Sequence, residues 1–329
     1  MQLPSVKTSL VDVTEKIKDA PCRILFKNEL EQPSGSFKLR GLGYLVARKI
    51  AQAQQSGKSD VIVYSSSGGN AGLAAGYAAR FYKVKCTVVL PKVSKANVVE
   101  KLKSMGAEVI IHGKHWGEAD AHLRNVVMEQ AGESVEKIYC HPFDNPLVWE
   151  GHSKIIEEIL EEQQLANFDK VRGVICSVGG GGLYNGLVEG LRKYRVPVLA
   201  METKQAPTFN EAASRGEVVH LDSVDTLANS LGSPYLAAKA LENYKSHPTY
   251  LGMIDDLDAA QATVDLYDDF GLLVEPACGA SAAAVLRKNQ LPRYFPDLQP
   301  DEILIVIICG GSGINEEIIE QYRGLLKQK

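Results

Sequence analysis

The segment DVIVYSSSGGNAGLAAGYAARFY (Asp60–Tyr82) decides the fold. Its first residues, Asp60–Ser65, are rich in β-branched side chains, which favours a buried strand. The glycine-rich turn Ser65–Gly72 follows, and an N-cap asparagine opens the helix predicted over Asn70–Tyr82. A strand, a glycine turn and a helix in this order are typical of a parallel sheet covered by helices.

The same alternation continues along the chain. Further strands are predicted over 85–90, 107–112, 171–178, 196–202 and 302–309, and further helices over 94–106 and 116–132. We therefore expect an α/β fold with two open, twisted, mostly parallel sheets, helices on both faces and an active-site cleft between two lobes. The predicted domains are a large one, 1–37 with 142–329, and a small one, 38–141.

Composition narrows the possible partners. The chain has 329 residues, a net charge of −4 and no basic stripe, so we expect no nucleic-acid partner. It has no run of about 18 apolar residues, so we expect no membrane span. Six cysteines lack a C-x-x-C pair, and the N-terminus lacks an apolar signal core, which together predict a cytoplasmic protein with reduced thiols.

Three predicted strands end in glycine-rich turns, SSSGGNAG (Ser65–Gly72), VGGGGLYNG (Val178–Gly186) and CGGSG (Cys309–Gly313). Unhindered backbone N–H groups at such turns can bind an anion. The second turn misses the dinucleotide spacing G-x-G-x-x-G by one residue, although Glu202 lies where an NAD-binding protein would carry its ribose acid. An NAD-dependent oxidoreductase therefore stays an alternative, whereas a P-loop is excluded because no Lys-Ser or Lys-Thr follows. The turn is suited to one terminal phosphate.

A lysine in the stretch QPSGSFKLRG (Gln32–Gly41) suggests which phosphate compound binds. Lys38 stands between a glycine turn and an apparent helix start, beside a phenylalanine and small residues. A lysine together with a phosphate-binding turn indicates a cofactor that carries both a phosphate and an aldehyde. Pyridoxal 5′-phosphate (PLP) fits this description, since it links to a lysine and acts as an electron sink.

The motifs PSGSFKLRG, SSSGGNAG, GGGGL and CGGSG, in this order, resemble those of the fold-type-II PLP enzymes, the tryptophan-synthase-β-like group. Within that group the chain is most similar to the eukaryotic L-serine and L-threonine dehydratases. The resemblance runs over nearly the whole chain and includes AMET (Ala200–Thr203), LVEPACGA (Leu273–Ala280) and HPFDNPLVWEGH (His141–His152).

The resemblance implies a role for each matching residue. Lys38 would form the Schiff base and act as the general base. The other cofactor-binding residues would be Phe37, Asn70, Gly179, Gly180, Gly181, Gly182, Leu183 and Cys309, the last facing the pyridine nitrogen. The substrate carboxylate would be received by Ser66, Ser67, Gly68 and Asn70. A potassium ion would be bound by Glu202 and the carbonyls of Gly179, Ala206, Leu231 and Ser233, although Glu202 could equally be a helix-capping carboxylate.

The implied reaction is the dehydration and deamination of L-serine to pyruvate and ammonia, with L-threonine giving 2-oxobutanoate, in a homodimer. Two further alternatives stay open. One is a sister activity of the same site: serine racemase, cysteine synthase or threonine synthase. Cys309 argues against it, because serine is expected there in those enzymes. The other is a PLP-binding protein without catalysis. Gly68, the smallest choice in its loop, is expected to leave room beside the substrate.

Overall fold

The computed structural model describes residues 1–94, 96–162, 165, 168–287 and 291–327. Lys95, inside the helix predicted over 94–106, lies outside the described residues. The chain separates into two compact units. The small unit comprises Met1–Val6 and Gln32–Gly151, and the large unit comprises Lys7–Glu31 and His152–Lys329. The functional domain boundaries at 37/38 and 141/142 stay a prediction.

The described residues form ten strands. They are β1 (Leu10–Asp12), β2 (Arg23–Asn28), β3 (Val61–Ser65), β4 (Lys85–Leu90), β5 (Glu108–Ile111), β6 (Glu136–Tyr139), β7 (Val171–Ser177), β8 (Val198–Thr203), β9 (Thr249–Ile254) and β10 (Ile303–Ile308).

Twelve α-helices accompany these strands within the described ranges. They are α1 (Lys38–Gln55), α2 (Asn70–Tyr82), α3 (Ala96–Ser104), α4 (Trp116–His122), α5 (Pro146–Leu160), α6 (Gly182–Leu191), α7 (Thr208–Arg215), α8 (Ala238–Ser246), α9 (Asp256–Phe270), α10 (Pro276–Leu286), α11 (Leu291–Tyr294) and α12 (Glu316–Leu326).

The small unit contains a parallel sheet in the order β5-β4-β3-β6. One face of this sheet is covered by α1 and α2, whose side chains Leu42, Val46, Leu73 and Ala78 are fully buried. Small residues dominate α2, so this helix can pack closely. The turn between β3 and α2 is therefore attached to a rigid core at both of its ends.

The large unit contains a six-stranded sheet in the order β1-β2-β10-β7-β8-β9. Among the described strands of this sheet, only β1 runs antiparallel to its neighbour, and the other pairs are parallel. Every residue of β8 and β10 is buried, as expected for parallel strands covered on both faces. Two open, mostly parallel sheets with helices confirm the predicted fold class.

The helix predicted over 116–132 differs in the structure. After α4 the chain continues as a π-helix over Leu123–Val127, in which the N–H of Met128 donates to the carbonyl of Leu123 at 2.9 Å. The sequence does not reveal this wider turn, because a π-helix is a rare single turn next to an α-helix and is too short to set a period of its own. No helix among the described residues is long and apolar enough to cross a bilayer.

Candidate active site

Lys38 is the first residue of α1, directly after a turn in which Gly35 has a φ of 83°. Its Nζ donates a 2.6 Å hydrogen bond to the carbonyl of Pro142 and lies 5.1 Å from the ring centroid of Phe37. A cation at the positive end of a helix is unfavourable, and the first turn of this helix has no acidic residue to offset it. This placement costs stability, which is common at functional sites.

The turn that presents the Pro142 carbonyl is held by a histidine. His141 is buried, and its Nδ1 accepts hydrogen bonds from the N–H groups of Phe143 (3.3 Å) and Asp144 (2.8 Å). Burial is the main cause that lowers the pKa of His141 to about 4, with a smaller contribution from the positive charges of Lys38 and Arg124 and against the opposite effect of Asp120. The imidazole is therefore neutral at physiological pH and serves as an acceptor.

This histidine predicts a pH dependence of stability. The unfolded chain has an ordinary histidine pKa near 6.5 and takes up a proton first as the pH falls, so stability is lost between about pH 6.5 and pH 4. The loss should be on the order of 3 kcal/mol in the free energy of unfolding. His141→Asn keeps a side-chain acceptor for the same turn and does not titrate, so its stability should decline less. Urea unfolding at several pH values measures the free energy of unfolding of the wild type and of His141→Asn. An equal decline with falling pH in the two proteins would contradict the assignment.

Two serines of the loop between β3 and α2, Ser66 and Ser67, have different hydrogen-bond partners. Ser66 is fully buried, and its Oγ donates to Asp120 Oδ1 at 2.7 Å while accepting from Trp116 Nε1 at 3.1 Å. Ser67 Oγ lies nearer the helix and accepts from the N–H of Gly69 at 3.3 Å. Asp120 has no role in the sequence interpretation. Its only signal there is the spacing of Trp116, Asp120 and Arg124, four residues apart on one helical face.

The loop offers backbone donors to a ligand. The predicted N-cap role of Asn70 is wrong: Gly69 is the N-cap of α2 and Asn70 is its first residue, so no side chain caps this helix. In the part of the chain that the structure describes, the N–H groups of Gly68, Ala71 and Gly72 have no acceptor. Free N–H groups at a helix start bind carboxylates and phosphates. The loop is therefore chemically suited to the substrate carboxylate that the sequence predicts here.

The large unit contains the second glycine turn, between β7 and α6. Gly181 has a φ of 89°, and a Cβ there would lie 2.8 Å from the Cβ of Ala240. The carbonyl of Gly180 accepts from the N–H of Ala237 at 3.0 Å, which fixes the outer side of the turn. Within the described residues, the buried N–H groups of Gly180, Gly181, Gly182 and Leu183 have no acceptor.

These orphaned N–H groups test whether a PLP phosphate fits. Buried N–H groups are nearly always paired in folded proteins, so a run of four without partners points to a ligand. The donors are neutral, consecutive and located at the start of a helix, which is suited to a phosphate dianion. The residues present therefore fit the phosphate of PLP. We name this turn, Gly179–Leu183, the phosphate cup.

Cys309 follows β10 and is buried. A hydrogen bond with Cys278, burial and nearby negative charge raise the pKa of its thiol well above the usual range. The thiol is therefore neutral and can offer only a weak donor or acceptor to a pyridine nitrogen. The following CGGSG turn is held by Glu275, whose Oε1 accepts from the N–H of Gly313 at 2.8 Å.

Glu202, at the end of β8, caps α7. Its carboxylate accepts from the N–H of Phe209 (2.6 Å) and from the N–H and Nδ2 of Asn210 (2.9 and 2.7 Å). Burial raises the pKa of Glu202 to about 7, and these hydrogen bonds partly oppose the rise. The helix-capping alternative is thus confirmed as a structural role, and potassium binding at Glu202 stays a prediction.

The carbonyl groups predicted to bind potassium are partly brought together. A Cβ at Gly179 would lie 2.9 Å from the carbonyl oxygen of Leu231, so these two backbones are in contact. The Ser233 carbonyl accepts from Thr208 Oγ1 at 2.8 Å, next to the helix start that Glu202 caps. An oxygen-only set of this kind is suited to a hard cation.

Comparison with known proteins identifies the family of the chain. The family described as "Pyridoxal-phosphate dependent enzyme" matches residues 2–310. An L-serine dehydratase of Saccharomyces cerevisiae is 41% identical over 299 residues, which cover 88% of each chain. A human L-serine dehydratase/L-threonine deaminase is 38% identical over 330 residues, 98% of this chain and 95% of that protein. The crystal structure of a fungal L-serine ammonia-lyase from Rhizomucor miehei gives a TM-score of 0.88 at 31% identity, covering 98% and 99% of the chains. On these grounds the chain belongs to the family of pyridoxal-phosphate dependent enzymes.

Proposed function

We propose that the protein is a PLP-dependent L-serine dehydratase that converts L-serine to pyruvate and ammonia, and L-threonine to 2-oxobutanoate and ammonia. The observation that carries the proposal is the match, over 98% of the chain, to a human protein named L-serine dehydratase/L-threonine deaminase. The phosphate cup and the placement of Lys38 support it independently. The family match favours this activity over the nicotinamide alternative.

The cofactor would be held by residues that the sequence singled out. Lys38 would bind its aldehyde carbon, the phosphate cup would bind its phosphate, and Asn70 would contact its ring hydroxyl. Phe37 would pack on its ring, and Cys309 would face its nitrogen. When bound, PLP supplies an electron sink for negative charge at the substrate Cα.

The chain's own residues would then act on the substrate. The N–H groups of Gly68, Ala71 and Gly72, which have no acceptor among the described residues, would bind the substrate carboxylate at the start of α2. Lys38 Nζ would take the Cα proton, and the β-hydroxyl would leave as water. The neutral thiol of Cys309 cannot stabilise a protonated ring nitrogen as a carboxylate would, which favours elimination over longer-lived charge at Cα.

Product analysis tests the proposal. The purified protein, saturated with PLP, is incubated with L-serine, and pyruvate, ammonia and D-serine are measured together. We expect pyruvate and ammonia in equal amounts, with L-threonine giving 2-oxobutanoate. Dominant D-serine would favour the racemase alternative, and cofactor binding without turnover would favour the non-catalytic one.

Gly68 gives a prediction about substrate preference. A Cβ at Gly68 would lie 2.7 Å from Ser94 Oγ, so the hydroxyl of Ser94 fills the room on that side of the loop. Gly68→Ala should shift the loop and change the ratio of kcat/KM for L-serine and L-threonine by roughly 5-fold or more, which corresponds to about 1 kcal/mol. Ser94→Ala removes the clash, so the double variant should regain most of the original ratio. An unchanged ratio in Gly68→Ala, or no relief by Ser94→Ala, would contradict this role.

Four finer properties belong to the same proposal. The functional domains would be 1–37 with 142–329 and 38–141, and potassium would bind at Gly179, Glu202, Ala206, Leu231 and Ser233. Turnover in potassium against sodium, with Glu202→Gln as the variant, tests the cation. The protein would be a cytoplasmic homodimer, which light scattering and a fluorescent fusion test. All six cysteines are buried and form no disulfide, which supports a reducing compartment.

A further inference from the structure

The buried carboxylate of Asp120 lies behind the proposed carboxylate-binding loop. The residue is 7% exposed and belongs to α4. Its Oδ1 accepts from Ser66 Oγ at 2.7 Å and from the hydroxyl of Tyr139 at 2.5 Å. Its Oδ2 lies 3.1 Å from Arg124 Nε. This one side chain therefore connects the loop after β3, the strand β6 and the π-helix.

The donors and acceptors of this network allow only one direction for each hydrogen bond. An ionised carboxylate only accepts, and an indole N–H only donates. The Ser66 hydroxyl must therefore donate a hydrogen bond to Asp120 and accept one from Trp116 Nε1. Because the hydroxyl proton of Ser66 is already donated to Asp120, it is not available to a ligand. A substrate carboxylate would therefore be bound by the backbone N–H groups of this loop and not by the Ser66 hydroxyl.

We propose that Asp120 is a positioning residue for substrate binding: through Ser66 it fixes the loop whose backbone N–H groups receive the substrate carboxylate. This inference rests on the proposed function of the loop. Backbone donors bind a carboxylate tightly only when they are held in place beforehand, because a mobile loop must be ordered on binding. Loss of the Asp120 carboxylate should therefore weaken substrate binding more than it slows the chemical step.

The variant Asp120→Asn tests this directly. With its NH2 group toward Arg124 the amide meets a donor, and with it toward the two hydroxyl groups it reverses both hydrogen bonds and replaces charge-assisted bonds with weaker neutral ones. We expect the KM for L-serine to rise at least about tenfold, while kcat changes by less than about threefold. An unchanged KM, or a fall in kcat alone, would overturn the proposal.

The chain offers a matched control and a second variant. Glu108, on β5 of the same unit, also accepts from a hydroxyl group, Thr87 Oγ1 at 3.0 Å. Glu108→Gln should leave both kinetic constants unchanged. Arg124→Gln removes the ion pair of Asp120 together with the contact of the guanidinium with the Tyr139 ring, whose centroid lies 6.0 Å away. The Arg124 side chain is 55% exposed, so folding should tolerate the change. A smaller rise in KM, about threefold, is expected there, and no rise would count against the proposal.

Ser66→Ala separates positioning from direct contact. If Asp120 acts through Ser66, the double variant with Asp120→Asn should raise KM no more than the larger single change. Fully additive effects would show that the two residues act independently and would overturn the proposal.

Hydrogen exchange provides a readout that does not depend on turnover. Peptides covering residues 65–72 should exchange faster in Asp120→Asn, while peptides from β4 and β5 stay unchanged. Failure of the wild-type protein to produce pyruvate would contradict the proposed function alone. Unchanged exchange in the 65–72 peptides would contradict the positioning role alone.

Discussion

Lys38→Ala is expected to lower kcat/KM for L-serine by about 10³-fold or more, because it removes both the covalent attachment of the cofactor and the general base. The side chain is the first of α1 and donates to the Pro142 carbonyl, so its loss should disturb little else in the fold. Pyruvate formation measured at saturating PLP gives the rate, and thermal unfolding shows whether the variant stays folded.

Lys38→Arg is the matched control for charge. Its guanidinium keeps a cation beside the Phe37 ring and a donor for the Pro142 carbonyl. It stays protonated at every accessible pH, so it cannot attach the aldehyde or take a proton. We expect it to be as inactive as the alanine variant. Substantial activity in either variant would show that residue 38 contributes only packing or charge.

Gly181→Ala is expected to weaken PLP binding by about 100-fold. The left-handed φ of 89° disfavours alanine, and the new Cβ would lie 2.8 Å from Ala240, so the turn must move. A displaced turn misaligns several N–H donors, and hydrogen bonds to a charged group are worth about 1.5–3 kcal/mol each. Equilibrium dialysis of the reconstituted apoprotein measures the change in affinity.

Gly216→Ala is the control for Gly181→Ala: it introduces the same backbone strain at a position outside the phosphate cup. Gly216 ends α7 with a φ of 74°, and a Cβ there would have no described atom within 4 Å. It should lower the unfolding temperature through the same left-handed strain and leave PLP affinity unchanged. If both glycine variants bind PLP like the wild type, the phosphate is bound elsewhere.

The phosphate cup and the loop after β3 could be predicted from sequence, because consecutive glycines between a strand and a helix have few other uses. The same holds for the fold class, since β-branched runs alternate with small-residue helices. These features are local in the chain, so the residues that form them are visible within about ten positions.

The features that sequence reasoning missed depend on distant partners. The strand β2, RILFKN, is not among the predicted strands, and its two cations are more typical of a solvated segment than of a buried strand. Lys27 is nevertheless 1% exposed and pairs with Glu158, 131 residues away, at 2.7 Å. Asp120 was missed for the same reason, since its partner Ser66 is 54 residues away. A buried charge is recognised only once its partner is known, because unpaired it would be too costly.

Reduction of the PLP-loaded protein with borohydride, followed by peptide mass spectrometry, tests the central claim most directly. We predict that one reduced cofactor is attached to the peptide containing Lys38, and that Lys38→Ala abolishes the attachment. A cofactor attached to a different lysine, or none attached at saturating PLP, would contradict the account.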